Sequence, residues 1–528
     1  MLRARDARGL HMSTSEHDAV VVGSGINGLA CAALLAKAGW NVCVLERNDW
    51  FGGAIRTAEI TEPGFHHDVF SAWHPLWVGG LVHPQLEADL ARHGLQYVNT
   101  DHPTATAFPD GSSAFLLRTA EANANELGPE WRGMLDGFFP NADLAFGVLG
   151  TELWSRHGAG LALKAVRRLG RDGARGFAGE LLVSARDWLE STFASEKTHG
   201  VLAPWVLHTG LGPDAATSGY MAQVIAVAVQ EGGMPIPVGG GAKLPDALVA
   251  LIRELGGTCV TGANVERVWS GGVRVAGGET VGASRAVVCN VTPTQLYGEL
   301  LGGTPPPYRY GRSEMQIHFA LSEPPRWYGD ERLGETAIVH LTPGLDGVSR
   351  AVNEAERGLL PAEATVVVGQ PLSLDASRAP EGKGMLWVQL QELPWNVRGD
   401  AAGELDVGDG TWTESLRERY ADRIQARIAK HVPNLESSIL GRVCLSPADL
   451  WAANVNLVRG DPYGGSLALD QSFLWRAPHR TSTPGVWHVG ASTHPGPGLG
   501  GGSGALVASQ LLEQPLRQRV LSRVRRAS

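Results

Sequence analysis

Cysteine is scarce and poorly spaced for chemistry. Its five positions, 31, 43, 259, 289 and 444, form no CxxC pair and no metal-ligand spacing. This disfavours a redox-active disulfide and predicts a reducing, cytoplasmic setting with no metal site. Long hydrophobic runs are also missing. No stretch reaches the roughly 18 apolar residues that a bilayer span needs. The nearest, 19–45, is broken by Asn27, Lys37 and several glycines. Charged residues make up 19%, and a net charge of −9 argues against a polyanion partner, so no nucleic acid is expected. A weakly basic tail from Arg517 to Arg526 reads as a solvated terminus. The first eleven residues carry arginine without an apolar core behind it, unlike a secretory signal, and Met12 could serve as the start.

Glycine, by contrast, is abundant at 68 of 528 residues, and it falls in short clusters rather than a repeat. Clusters of this kind occur where backbone must approach a ligand closely. Tryptophan, at 16, outnumbers Cys and Met together, which suits either a large apolar cavity or ordinary core packing. The chain length calls for two or three domains.

The clearest cluster follows the apolar run Ala19 to Val22. Gly23-Ser24-Gly25-Ile26-Asn27-Gly28 leads into a helix-forming stretch, Leu29 to Ala38, closed by Gly39. A second strand, Asn41 to Glu46, ends on an acid 21 residues after Gly25. Each part has a job in binding a dinucleotide. Gly23 permits the tight turn, Gly25 lets backbone reach a pyrophosphate, and Gly28 lets the helix pack on the strand. The helix N-terminus supplies free donors to the anion, and the Glu46 carboxylate can accept from a ribose diol. Glu46-Arg47 then runs into Gly52-Gly53-Ala54-Ile55-Arg56-Thr57. A second glycine pair is foreign to the plain NAD unit. It would let backbone pass beneath an extended dinucleotide, with Arg56 neutralising phosphate.

At this point the sequence resembles the FAD-dependent amine oxidase and phytoene desaturase superfamily, in which a GG-x-x-R-[ST] segment follows the ribose acid. The carboxyl end strengthens the resemblance. Val486 to Gly490 reads as a strand, followed by Ala491-Ser-Thr-His494-Pro-Gly-Pro-Gly498, Gly500 to Gly504 and the helix Ala505 to Leu512. It is similar to the "G-A-x-T-H-P-G-x-G" segment of phytoene desaturases and desaturase-type carotene ketolases. Ser373 to Lys383 and Gly460 to Gln471 also resemble this family. In the middle, Gly232 to Gly241 precedes an amphipathic helix with Leu244, Leu248, Leu251, Ile252 and Leu255 on one face. The resemblance implies that Val265 touches the adenine end of FAD through its backbone, and that Gly490, Ala491 and Gly500 meet the isoalloxazine end. Ile26, Asn27 and the glycine-rich Gly500–Gly504 stretch depart from the usual family pattern.

The fold expected is an α/β Rossmann-type FAD-binding domain with an inserted α+β substrate domain. The FAD domain would take residues 15–115, 231–300 and 446–515. A helical part of the substrate domain would take 116–230, and an antiparallel sheet plus helix 301–445. Strands are expected at Met315 to Leu321, Ala337 to Leu341, Thr365 to Leu372 and Met385 to Leu390, with a long helix at Thr413 to His431.

The resemblance implies an FAD-dependent oxidoreductase, a desaturase, dehydrogenase or ketolase acting on an apolar, polyene-like small molecule. The flavin would supply the redox chemistry and the protein the positioning. An amine or amino-acid oxidase and a non-enzymatic prenyl-binding module of the same fold are the alternatives. No catalytic dyad stands out. His494, in the terminal loop, and His74 are the catalytic candidates, while His66, His67 and His74 around Asp68 also suit a local hydrogen-bond network. An apolar substrate would bring peripheral membrane contact, and the electron acceptor stays open.

Overall fold

The strand Glu16–Val22 is apolar at consecutive positions because it is covered on both faces. Ala19 and Val21 join one hydrophobic core, Val20 and Val22 another. Such a strand belongs inside a parallel sheet flanked by other layers. In the computed structural model, which describes residues 16–513, five strands run parallel in the order Val486–Val489, Thr280–Asn290, Glu16–Val22, Val42–Leu45, Thr258–Val260. The early arginines, Met12 and the basic tail lie outside the described residues. The helices Ile26–Lys37, Lys243–Glu254 and Gly502–Leu512 cover one face through Leu29, Leu35, Leu248, Ile252 and Val507. On the other face an antiparallel pair, Val265–Trp269 and Gly272–Val275, extends from the first half of Thr280–Asn290.

A second sheet of seven strands follows the order Ile439–Leu445, Ser313–Leu321, Gly384–Leu393, Val366–Gly369, Ile338–Leu341, Thr104–Ala107, Ser113–Leu116. All neighbours are antiparallel except Ile338–Leu341 with Thr104–Ala107. The two earliest strands fall inside the stretch 15–115 that sequence assigns to the nucleotide domain. Their ladder runs to Ile338–Leu341, so the first nucleotide segment ends before Thr104. Two short strands joined by a tight turn carry no mark of which sheet they enter, since that pairing is long-range.

One face of this sheet packs on the helix Glu414–Ala429, burying Met315, Ile317, Phe319, Val388 and Leu390 against Tyr420, Ile424 and Ile428. The Thr413 hydroxyl accepts from Leu416 N at 3.2 Å and caps that helix, which ends at Ala429, two residues before the expected His431. The opposite face looks toward seven helices between Ala120 and Gly232, six of which share a core with Trp73, Val367 and Trp387. The longest, Arg156–Glu180, is kinked at Gly170, where φ is 72°, and none of its residues is fully buried.

Candidate active site

The parallel strands deliver the predicted residues to one edge. Gly23, Glu46, Asn290 and Gly490 all sit at or just beyond a strand's carboxyl end. The chain leaves Glu16–Val22 for a neighbour on one side and later pairs with Thr280–Asn290 on the other. That reversal opens the crevice in which doubly wound sheets bind ligands.

Backbone geometry there depends on glycine. Gly23 has φ +88°, and a methyl group on Gly25 would lie 2.5 Å from Asn290 Nδ2. Gly25 bridges Gly52, so the two glycine segments run side by side. No side chain caps the helix Ile26–Lys37, which leaves its amino end to an anion. Ser24 fixes Glu46: its N and Oγ donate to Glu46 Oε2 at 2.9 and 2.7 Å, and Asn48 N donates to Oε1 at 2.9 Å. The carboxylate is thereby held at the crevice with acceptor capacity to spare.

Two features escaped sequence reading. Asn290 ends its strand among Gly23, Gly25, Gly28 and Gly490, and its side chain fills the space those glycines leave. The terminal loop is held by a relay. The Ser503 hydroxyl accepts from Gly490 N at 3.1 Å and lies 2.6 Å from Thr493 Oγ1. It also lies 3.3 Å from His479 Nε2, while His479 Nδ1 is 2.5 Å from Glu152 Oε2. That contact holds the Glu152 carboxyl below its usual range. Glu152 lies hundreds of residues from the loop, and no local pattern signals the pair.

These edges open into a cavity of about 1410 Å³, above the roughly 300–1,000 Å³ of ordinary small-molecule sites. Gly23, Gly25, Asn27, Glu46, Arg47, Gly53, Ala54, Val265, Gly490, Ala491 and Gly500 line it. Ser24 and Gly28 stand behind, the one holding Glu46 and the other letting the helix approach Gly23. Arg56 is not in the lining; its guanidinium lies over the Trp50 ring at 4.1 Å, a stacking partner that the sequence reading overlooked.

The catalytic candidates do not reach the cavity wall either. His74 is fully buried with Nδ1 3.1 Å from the Tyr97 hydroxyl, and burial pushes its pKa down to about 4. His494 is buried beside His479, which together lower it to about 4; Pro495 lines the cavity in its place. Around Asp68 the network is structural. Arg378 pairs with Asp68 at 2.9 Å with both side chains buried, and Asp68 Oδ1 accepts from Thr57 Oγ1 and Gly241 N. His67 meets Thr61 Oγ1 at 2.7 Å, and His66 remains near the surface.

The far wall belongs to the second sheet. Because Met315 and Ile317 face the helix Glu414–Ala429, Glu314 and Gln316 face the cavity, as do Trp387, Gln389 and Gln391 on the neighbouring strand. Trp73, Trp205, Met221, Val224, Ile225 and Phe473 make the remaining surface largely apolar. Tryptophan thus serves both expected purposes, since Trp77, Trp131 and Trp188 are ordinary core. His208 Nε2, also on the wall, lies 3.1 Å from His340 Nε2, and burial lowers it to about 3. The alternation of polar and apolar residues in both strands was visible in sequence. All five cysteines are buried and free. Among the described residues no cluster could hold a metal, and no helix is long and apolar enough to cross a membrane.

With this geometry in view, comparisons with known proteins become interpretable. A family model described as an NAD(P)-binding Rossmann-like domain matches residues 21–81. A pyridine nucleotide-disulfide oxidoreductase domain-containing protein 2 of Rattus norvegicus is 26% identical, covering 93% of this chain and 92% of its own. A zeta-carotene-forming phytoene desaturase of Myxococcus xanthus is 28% identical, covering 92% of each. The crystal structure of a putrescine oxidase with bound putrescine superposes with a TM-score of 0.60 at 16% identity, covering 95% of this chain and 100% of that one. Fold and site together define a dinucleotide-binding oxidoreductase of Rossmann type. More particularly, the chain is similar over most of its length to phytoene desaturases and shares its fold with the flavin amine oxidases.

Proposed function

We propose that the chain binds FAD along the carboxyl edge of the parallel sheet and dehydrogenates an apolar, polyene-like substrate held against the second sheet. One observation carries this reading: a single cavity joins the glycine-lined nucleotide crevice to a chamber walled by tryptophan and aliphatic side chains. The residues suit the cofactor. The uncapped helix end and Gly25 leave room for pyrophosphate, and Glu46 is anchored to receive a ribose diol. When bound, a flavin supplies the hydride acceptor. The protein's part is to align an extended hydrocarbon, to exclude water with Trp73, Trp205 and Trp387, and to keep His208 neutral on the wall.

The substrate class also supports contact with an anionic membrane surface. Leu76, Leu81 and Phe146 line the cavity yet remain 43–49% exposed. Beside them the helix Arg156–Glu180 exposes Leu163 and Val166 together with Arg167 and Arg171. Apolar residues framed by arginine are the features of an interfacial helix. Sedimentation with phosphatidylglycerol vesicles at low salt tests this, and protein left in the supernatant refutes it.

The enzymatic reading is tested by the visible spectrum of purified protein. Flavin bands that bleach on anaerobic addition of an acyclic polyene support it. Bleaching by an alkylamine and not by the polyene moves the reading to amine oxidation. A colourless protein that cannot be reconstituted with FAD removes the flavin reading altogether.

A further inference from the structure

Facing the apolar chamber, the second sheet carries one compact polar group. Glu314, Gln316 and Gln391 are 4%, 2% and 2% exposed, and with Gln389 they occupy adjacent strands in register, Gln316 directly opposite Gln389. Burying three such side chains beside a hydrocarbon site is costly unless each finds a partner. Two of them do not. Gln316 Oε1 and Gln391 Oε1 have no hydrogen-bond partner among the protein's groups. Both residues line the cavity.

Glu314 limits what the missing partner can be. The Tyr463 hydroxyl lies 2.7 Å from the Leu207 carbonyl oxygen and 3.1 Å from Glu314 Oε1. A phenol carries one proton, and a backbone carbonyl only accepts. With that proton given to the shorter contact at Leu207, a neutral Glu314 carboxylic acid can complete the longer one by donating. Its surroundings agree: burial, reinforced by Asp461 nearby, pushes the carboxyl up to about 8 against the pull of the Gln389 and Gln391 hydrogen bonds. A neutral acid beside two unpaired amide oxygens carries no negative charge to hold an ammonium group. It suits a group that both donates and accepts, which a hydroxyl does in either orientation of the amides.

The geometry points to a polar subsite, formed by Glu314, Gln316 and Gln391, that binds a hydroxyl group carried by an otherwise apolar substrate. This deepens the proposed function and rests on its reading that the cavity holds the substrate. The substrate class narrows accordingly, from an unsubstituted hydrocarbon to a long-chain alcohol, and the three residues become determinants of specificity. They orient the chain by one end, while the dehydrogenated bond lies toward the glycine loops on the facing wall.

The test uses 1-decanol and its methyl ether, which differ in the hydroxyl proton, with the holoenzyme. Binding is followed by quenching of tryptophan fluorescence, since Trp73, Trp205 and Trp387 line the cavity. The readout needs no turnover, so failure of this inference is separable from failure of the polyene reading, which flavin bleaching reports. The expected result is a preference for the alcohol of about tenfold, the effect of leaving buried polar groups unpaired. The double variant Q316L/Q391L should lose that preference and bind the ether at least as well as wild type. Retained binding of the ether guards against a misfolded double variant. Equal affinity for both ligands, binding of neither, or a preference that survives in Q316L/Q391L overturns the proposal. So does a wild-type preference for decylammonium that E314Q abolishes, because Glu314 would then act as an anion.

Discussion

Consider alanine at Gly25. The residue has φ −60°, an ordinary conformation, so a methyl group brings no backbone strain. It brings a collision with Asn290 Nδ2, which would lie at 2.5 Å where about 3.5 Å is comfortable. The amide must therefore move by roughly 1 Å, yet Asn290 is buried and hemmed in by Gly23, Gly28 and Gly490. Overpacking of this kind costs about 1–3 kcal/mol, while alanine recovers about 0.4–1 kcal/mol from the unfolded chain. A net loss of about 1–2 kcal/mol follows, with a melting temperature lower by a few degrees. Asn290→Ala removes the obstructing amide, so G25A/N290A should be no less stable than N290A alone. Gly28 provides the contrast. A methyl group there meets the backbone oxygen of Gly23 more closely still, besides Asn290, and N290A cannot clear a backbone atom. Calorimetry of the four apoproteins, with G28A and G28A/N290A beside them, measures both couplings. If G25A melts with wild type, or if N290A rescues G28A as well as G25A, the packing of this crevice has been misread.

Four further outcomes follow from contacts of this kind. Glu46→Ala removes the acceptor for Ser24 and Asn48 together with the proposed ribose contact, and should weaken FAD retention at least tenfold by equilibrium dialysis. Arg56→Ala, whose guanidinium stacks on Trp50, should weaken it less; equal losses would return Arg56 to the phosphate. Asp68→Asn strands a fully buried arginine and should cost about 3–5 kcal/mol, read as a large drop in melting temperature with secondary structure retained below it. Glu314 sets a pH dependence. Its folded pKa, about 8, lies above the ordinary carboxyl value of 4.5, so the folded state holds a proton that the unfolded state has lost. Stability should fall as pH rises from 4.5 to 8 and then level, and E314Q should flatten that fall; an unchanged profile would show Glu314 ionised in the fold.

How much was legible in the sequence depended on whether a contact was local. The strand, glycine turn, helix and acid from Ala19 to Glu46 form one continuous unit, and each step has a backbone reason that no distant residue alters. The terminal loop was legible for the same reason, although the His479–Glu152 pair that steadies it was not. Arg56 was assigned to phosphate by its place after two glycines, but Trp50, six residues upstream, offers its ring. The strands Thr104–Ala107 and Ser113–Leu116 were divided from their sheet because a hairpin does not announce its third neighbour. Glu314 and Gln316 were readable in principle. A polar residue at every second position of a strand whose other positions are Met, Ile and Phe usually faces solvent. Here the helix layer covers one face and the cavity takes the other.

The two walls of the cavity contribute by different means, and this bears on how the site can change. The nucleotide wall works through backbone: Gly23, Gly25, Gly53 and Gly490 take positions where a side chain would collide or strain. Almost any substitution there disturbs the cofactor site itself. The facing wall works through side chains projecting from regular strands whose backbone is fixed by ladder hydrogen bonds and by the core beneath. At Gln316, Gln389 and Gln391 a residue can be exchanged without moving the strand, because the neighbouring apolar positions hold it in place. Substrate preference can therefore drift on the second sheet while the dinucleotide crevice stays constant. The same fold can then present a polar, an apolar or a charged end group to one redox centre.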